Sequence, residues 1–179
     1  NYNSNLILNQ SSKNVVVEAD EYDRSFLSLN PDIVLLTSID ADHLDVYGSI
    51  ENIKKGFQKF IDLISESGIL ISNYGLDVSA NKTLFYGESN MANFRIQNIR
   101  VENHDHYFDL SYNDVMVENI HLGVPGYHNV YNAAAVVVLG IHLGIEMKII
   151  KSALATFKGV KRRFEYLLKT SSLVYIDDY

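Results

Sequence analysis

The sequence contains no cysteine. A chain without cysteine has neither a disulfide framework nor a thiolate metal site, and this composition suits a reducing cytoplasm. No apolar run approaches the ~20 residues of a membrane-spanning helix, and the polar first five residues do not resemble a signal peptide. We therefore expect a cytoplasmic protein without a membrane span.

Basic residues are also few, with 15 Lys and Arg against 22 Asp and Glu, for a net charge of −7. Because no basic patch stands out, nucleic acid is not an expected partner. Hydrophobic residues make up 47% of the chain and charged residues 21%, as in soluble globular domains that bury a core. The length of 179 residues fits one domain.

Three familiar signatures are missing from the sequence. It contains no G-x-x-x-x-G-K-[ST] phosphate loop, no G-x-G-x-x-G and no G-x-S-x-G. Any nucleotide or acyl chemistry must therefore be inferred from other residues.

The first half of the chain has the pattern of an α/β fold. Residues 15–17 are three valines and predict a central strand buried on both faces, followed by a short helix that Asp23 caps. Residues 32–38 predict a second strand parallel to the first. Ser49 then begins an amphipathic helix that extends to about Glu66, and residues 69–71 predict a third strand.

The pattern changes between residues 83 and 122, where short segments alternate between apolar and polar residues. These segments predict a small antiparallel sheet, with a tight hairpin turn at Asn113 and Asp114. His104 and His106 allow two interpretations, a metal pair or a polar turn. The polar turn is favoured, because a flexible connection rarely fixes the geometry of a metal site.

Residues 129–143 are apolar nearly all round and predict a buried helix. The polar residues His128, Asn129 and Asn132 crowd its first turn at spacings of three and four, so all three can face one ligand. Simple N-capping requires only one of them, so three favour a bound polar ring or sugar. A second helix over residues 146–157 and strands after Arg163 and near residues 173–175 complete an α/β fold with a mostly parallel sheet, flanking helices and a small antiparallel subsheet.

Two acidic clusters follow the first two predicted strands. Residues 18–23 contain Glu18, and residues 40–45 contain His43 beside three aspartates. Ligands bind at the carboxyl ends of strands in open α/β sheets, and carboxylate oxygens suit a divalent cation that holds a phosphate. The alternative is that these carboxylates only cap helices and lie in solvent at the rim of the sheet. Arg163 has a similar pair of interpretations, a solvated basic edge or a guanidinium that binds phosphoryl oxygens.

Four stretches in this order resemble the Mur ligase family: VEADEYDRSFL (17–27), TSIDADHLDVYG (37–48), GYHNVYNA (126–133) and FKGVKRRFE (157–165). The match is greatest to the MurC branch, which adds L-alanine. Members have three domains, and residues 1–176 resemble the central ATP-binding domain, of P-loop type, without its phosphate loop. Residues 177–179 would then begin the hinge to a C-terminal domain.

The resemblance implies an ATP-dependent amide ligase that joins L-alanine to UDP-N-acetylmuramate in peptidoglycan synthesis, through an acyl phosphate and with Mg²⁺. We expect these residues alone, without a phosphate loop, to be inactive and to bind Mg-ATP weakly or not at all. The alternatives are a ligase of the same family that recycles murein tripeptide, and a non-catalytic nucleotide-binding domain.

The resemblance also assigns roles to individual residues. Glu18 and His43 fall on the metal ligands, and these two with Arg163 are the expected catalytic residues. Contacts to the nucleotide are expected from a second set: His128, Asn129 and Asn132 at the adenine, Arg163 at the phosphates and Asp177 at the hinge. Sibling ligases carry a carbamylated lysine fifteen residues after the histidine, but here that position is Gln58, which agrees with the alanine-adding branch.

Overall fold

The computed structural model describes residues 7, 9–160, 165–170 and 172–177. In these residues a 3₁₀ helix at Ser25–Ser28 precedes four α-helices: α1 Leu44–Tyr47, α2 Ile50–Ile61, α3 Tyr127–His142 and α4 Met147–Thr156. The same residues form eight strands: β1 Ile33–Leu36, β2 Ile69–Asn73, β3 Thr83–Gly87, β4 Phe94–Glu102, β5 Asp105–Tyr112, β6 Val115–Leu122, β7 Glu165–Lys169 and β8 Val174–Asp177.

Strands β1 to β6 form one sheet in sequence order. Neighbours from β1 to β4 pair parallel, whereas β4, β5 and β6 pair antiparallel, and β7 and β8 form a separate antiparallel pair. The predicted α/β class, with a mostly parallel sheet and an antiparallel subsheet, is confirmed. The subsheet begins at β4, however, rather than near residue 83, because an alternating pattern shows that a segment is a strand but not its direction.

The prediction of a buried central strand at residues 15–17 was wrong. These residues have no regular secondary structure, and Val15 and Val16 are 87% and 89% exposed. β-Branched residues favour an extended strand only where a neighbour supplies backbone partners. In the described part of the chain β1 pairs only with β2, so the valine segment lies beside the sheet and not in it.

Helix α2 begins where the sequence predicted and ends earlier. The Oγ of Ser49 accepts a hydrogen bond from the backbone N–H of Asn52 at 3.3 Å, which confirms the N-cap. The helix ends at Ile61 because the chain then tightens: the N–H of Leu63 and that of Ile64 bond to carbonyls three residues back. One core cluster lies between α2, β1, β2 and the 3₁₀ helix, and its buried members are Phe26, Val34, Leu36, Phe60, Ile61, Leu70 and Val78.

Helix α3 is buried against the sheet, as its apolar sequence predicted. Its core residues include Val130, Ala134 and Val137, each fully buried. It crosses close to α4, since a Cβ at Gly140 would lie 2.5 Å from the Cδ1 of Ile150. The start of α3 lies beside the carboxyl end of β3, because the hydroxyls of Tyr127 and Tyr131 bond to Glu88, the residue that follows β3.

Two predicted turns are confirmed. Asn113 and Asp114 both have positive φ, 43° and 63°, as a tight hairpin turn between β5 and β6 requires. Asn103 and His104 also have positive φ and turn the chain from β4 into β5. His104 thus lies in a polar turn, whereas His106 lies in β5, where it pairs with Val101 and Leu122. No described helix is long and apolar enough to cross a membrane.

Candidate functional site

The carboxyl ends of the first two strands are joined by a side chain. Asn73, the last residue of β2, donates from Nδ2 to the carbonyl of Thr37, just after β1, at 3.2 Å. The link fixes the loop that leads from β1 to His43. The candidate site therefore starts from a rigid sheet edge.

His43 adopts an unusual backbone conformation immediately before α1. Its φ of 55° and ψ of 37° are left-handed, and its N–H donates to the Oδ1 of Asp42 at 2.9 Å. Non-glycine residues with positive φ are uncommon and concentrate at functional sites. The turn leaves the imidazole half-buried, facing the segment that carries the first acidic cluster.

The carboxylate that meets His43 is that of Glu21. The Nε2 of His43 lies 3.4 Å from Oε1 of Glu21, and the ring of Tyr22 stands edge-on to the imidazole with centroids 5.0 Å apart. The buried side chain of Tyr47 fixes this segment, because its hydroxyl donates to the carbonyl of Glu21 at 2.6 Å. Spacing along the chain does not distinguish Glu21 from the neighbouring acids, so its contact with His43 was not predicted from the sequence.

Glu18 and His43 line the same groove, which has a volume of about 910 Å³. Glu18 is exposed on the groove wall, and Glu21, Asp40 and Asp42 also line the groove. The described residues form no ready-made cage of three metal ligands. The groove carries carboxylate oxygens from Glu18, Glu21, Asp40 and Asp42, and such hard donors are the ones that Mg²⁺ takes, so the side chains present fit this ion.

The first two turns of α3 present His128 and Asn132 to solvent. Asn129 ties the helix start to the preceding turn, because its Nδ2 donates to the carbonyl of Pro125 at 2.6 Å, while its Oδ1 accepts from Nδ2 of Asn132 at 3.4 Å. Gly126 precedes the helix with a φ of 107°, and a Cβ there would lie 2.8 Å from Cε1 of His128. The imidazole thus lies directly over the glycine.

Three further residues were singled out from the sequence, and the structure describes two of them. Arg163 lies outside the described residues. Asp177 is the half-buried last residue of β8 and pairs in register with residue 165, and its role toward a nucleotide stays a prediction. Gln58 tethers α2 to a loop, because its Nε2 donates to Oδ1 of Asp62 at 2.8 Å and to the carbonyl of Ser79 at 3.0 Å.

Residues 2–140 match the Mur ligase middle domain. The whole chain aligns at 40% identity with 40% of the UDP-N-acetylmuramate–L-alanine ligase of Cytophaga hutchinsonii. The fold resembles that of UDP-N-acetylmuramate-alanine ligase MurC from Thermotoga maritima, with a TM-score of 0.76 and 25% identity over 90% of this chain and 37% of that one.

A second solved structure is similar in fold alone. It is the MurF ligase of Thermotoga maritima in complex with ADP, with a TM-score of 0.68 and 21% identity over 82% of this chain and 35% of that chain. The present chain therefore spans about two fifths of the length of the relatives that it matches.

Proposed function

Because the chain belongs to the Mur ligase family, we propose that it is the central ATP-binding domain of a longer ligase that joins L-alanine to UDP-N-acetylmuramate. In this proposal the domain works in the bacterial cytoplasm, where it serves peptidoglycan synthesis. Residues 1–176 form the domain and residues 177–179 begin the hinge to the next one.

One observation carries the proposal: a histidine in left-handed conformation, held among carboxylates at the carboxyl edge of a parallel sheet. His43 meets Glu21 and shares a groove with Glu18. The identity of 40% to an alanine-adding ligase extends over this whole region. Chemistry at this edge agrees with the general position of ligand sites in open α/β sheets.

The proposed reaction has two steps. The γ-phosphoryl group of ATP passes to the carboxylate of UDP-N-acetylmuramate, giving an acyl phosphate and ADP. The amino group of L-alanine then attacks the acyl carbon and loses a proton, and the carbon–oxygen bond to phosphate breaks. Inorganic phosphate leaves with the bonding electrons, and the amide remains. Both steps bring negatively charged oxygens close together. The protein must therefore position the reactants and neutralise the charge on these oxygens.

Each proposed site residue has a part in that task. Glu18 and His43 would hold Mg²⁺, which when bound neutralises charge on phosphoryl oxygens. Arg163 offers a forked guanidinium to the same oxygens. Three polar residues at the start of α3 are proposed to form hydrogen bonds with the nucleotide base: His128, Asn129 and Asn132. Asp177 is proposed to lie near the nucleotide at the hinge.

The test is ADP release by the complete polypeptide that carries this domain, measured with UDP-N-acetylmuramate and a panel of amino acids. We expect release that requires Mg²⁺ and is fastest with L-alanine. Preference for a murein tripeptide would replace this proposal with the recycling ligase. Nucleotide binding without ADP release would indicate a non-catalytic domain.

A further inference from the structure

A carboxylate outside the expected motifs joins the end of β3 to the start of α3. Glu88 directly follows β3, and its Oε1 accepts hydrogen bonds from the hydroxyls of Tyr131, at 2.6 Å, and Tyr127. The partners are 43 and 39 residues away in the sequence. The link is therefore a tertiary contact between two elements that meet at the carboxyl edge of the sheet.

The hydrogen bonds favour a charged acceptor. The two tyrosine hydroxyls lower the pKa of Glu88, so the group is a carboxylate at neutral pH. The hydrogen bond to this carboxylate in turn raises the pKa of Tyr127, whose hydroxyl keeps its proton. Hydrogen bonds to an ionised acceptor are about twice as strong as neutral ones.

The two tyrosines are four residues apart on α3, so both extend from one face of its first two turns. Their ring centroids are 5.6 Å apart. His128 lies between them in sequence, and Asn132 follows Tyr131 directly. Any shift of this face therefore moves the residues that we expect at the nucleotide base.

The start of α3 also lacks the usual side-chain cap. Its N-cap residue is Gly126, which has no side chain to accept from the first N–H groups. The bond from Asn129 to the carbonyl of Pro125 ties the helix only to the residues just before it. Among the described contacts, Glu88 is what ties the first two turns to the sheet by hydrogen bonds.

We propose that Glu88 is a positioning residue for nucleotide binding: through the hydroxyls of Tyr127 and Tyr131 it holds the start of α3 on the end of β3 and so places His128 and Asn132 against the base. This inference rests on the proposed function. Glu88 acts through the helix and does not reach the reacting phosphoryl group.

The test uses Glu88→Ala and Tyr131→Phe in the complete polypeptide. Calorimetry should show that Glu88→Ala raises the Kd for ADP about tenfold, because it removes both hydrogen bonds to the carboxylate. Tyr131→Phe removes one of the two and should raise the Kd about threefold. The double variant should bind no more weakly than Glu88→Ala, since both changes break one connection. Glu66→Ala is the matched control, because Glu66 is an exposed glutamate in the loop before β2, at the opposite edge of the sheet.

Kinetics separate positioning from a general loss of structure. Glu88→Ala should raise the KM for ATP about tenfold and leave kcat within about twofold. Inhibition by tripolyphosphate, which lacks a base, should be unchanged. A parallel loss of tripolyphosphate inhibition and kcat would overturn the inference, and so would wild-type affinity for ADP in Glu88→Ala.

ADP binding by the wild-type protein distinguishes failure of the proposed function from failure of the role of Glu88. If it fails to bind ADP at all, the proposed function fails. If it binds ADP but the variants bind equally well, only the role of Glu88 fails. Should Glu88→Ala not fold, Tyr131→Phe decides: a raised Kd with an unchanged Tm supports the inference, and an unchanged Kd overturns it.

Discussion

The Nε2 atom of His43 lies 3.4 Å from Oε1 of Glu21, although the two residues belong to different loops at the edge of the sheet. A carboxylate on one imidazole nitrogen fixes the orientation of the ring and leaves the other nitrogen, Nδ1, as the atom that can bind a metal. Glu21 is thus the carboxylate in contact with His43, and Glu18 lines the same groove.

Replacing Glu21 should weaken the metal site without removing a ligand. Loss of a carboxylate that orients a metal-binding histidine typically costs 10–100-fold in metal affinity or activity. We expect Glu21→Gln to raise the Mg²⁺ concentration for half-maximal ADP release by about tenfold or more. Glu118→Gln, at an exposed position on β6, is the control. A Mg²⁺ titration identical to that of the wild type would show that the contact has no part in metal binding.

Gly126 and Gly144 form a matched pair at the two ends of α3. Both have positive φ, 107° and 71°, so alanine is strained at either and should cost about 1–2 kcal/mol of stability. Only at Gly126 does the new Cβ collide with His128, whereas nothing lies within 4 Å at Gly144. Urea unfolding should therefore show similar losses, and ADP calorimetry should show weaker binding for Gly126→Ala alone. Equal ADP affinities would remove His128 from the base site.

Asp109 should make the stability of the antiparallel subsheet depend on pH. Burial raises its pKa, but hydrogen bonds from the side chain of Asn98 and the backbone of Asn119, with the nearby Arg100, outweigh that effect and lower the pKa below 3.8. A depressed folded pKa stabilises the fold above the unfolded pKa, and the contribution is lost as pH falls through the folded value.

Urea unfolding of Asp109→Asn measures this contribution. We expect a loss of about 1–3 kcal/mol at pH 7, because a buried charged acceptor is replaced. The difference from the wild type should shrink as pH falls below about 4. The control, Asp114→Asn, lies in the exposed hairpin turn and should stay within about 0.5 kcal/mol of the wild type. A difference that does not change with pH would contradict a charge effect.

Local signals in the sequence predicted most of the elements. Ser49 marked the start of α2 through a cap that acts within three residues, and Asn113 and Asp114 marked a turn whose positive φ values suit those residue types. Such features depend on neighbours along the chain. The strand predicted at residues 15–17 was wrong because a strand depends on a distant part of the chain. It needs a partner strand, which the three residues themselves do not specify.

The site was predicted only in part for the same reason. The resemblance indicated His43 and Glu18, and the structure places both in one groove. It did not indicate that His43 would meet Glu21, because this contact depends on a left-handed turn and on the hydroxyl of Tyr47. Glu88 was missed as well, since its partners lie about forty residues away in the sequence.

The most direct test of the proposed metal site is His43→Ala in the complete polypeptide. The quantity to measure is Mg²⁺-dependent ADP release in the presence of UDP-N-acetylmuramate and L-alanine. A site that depends on His43 predicts loss of that release, at least 100-fold as an order of magnitude for a removed metal ligand, with a Tm near that of the wild type. Turnover close to the wild-type rate would contradict the assignment of His43 to the metal site.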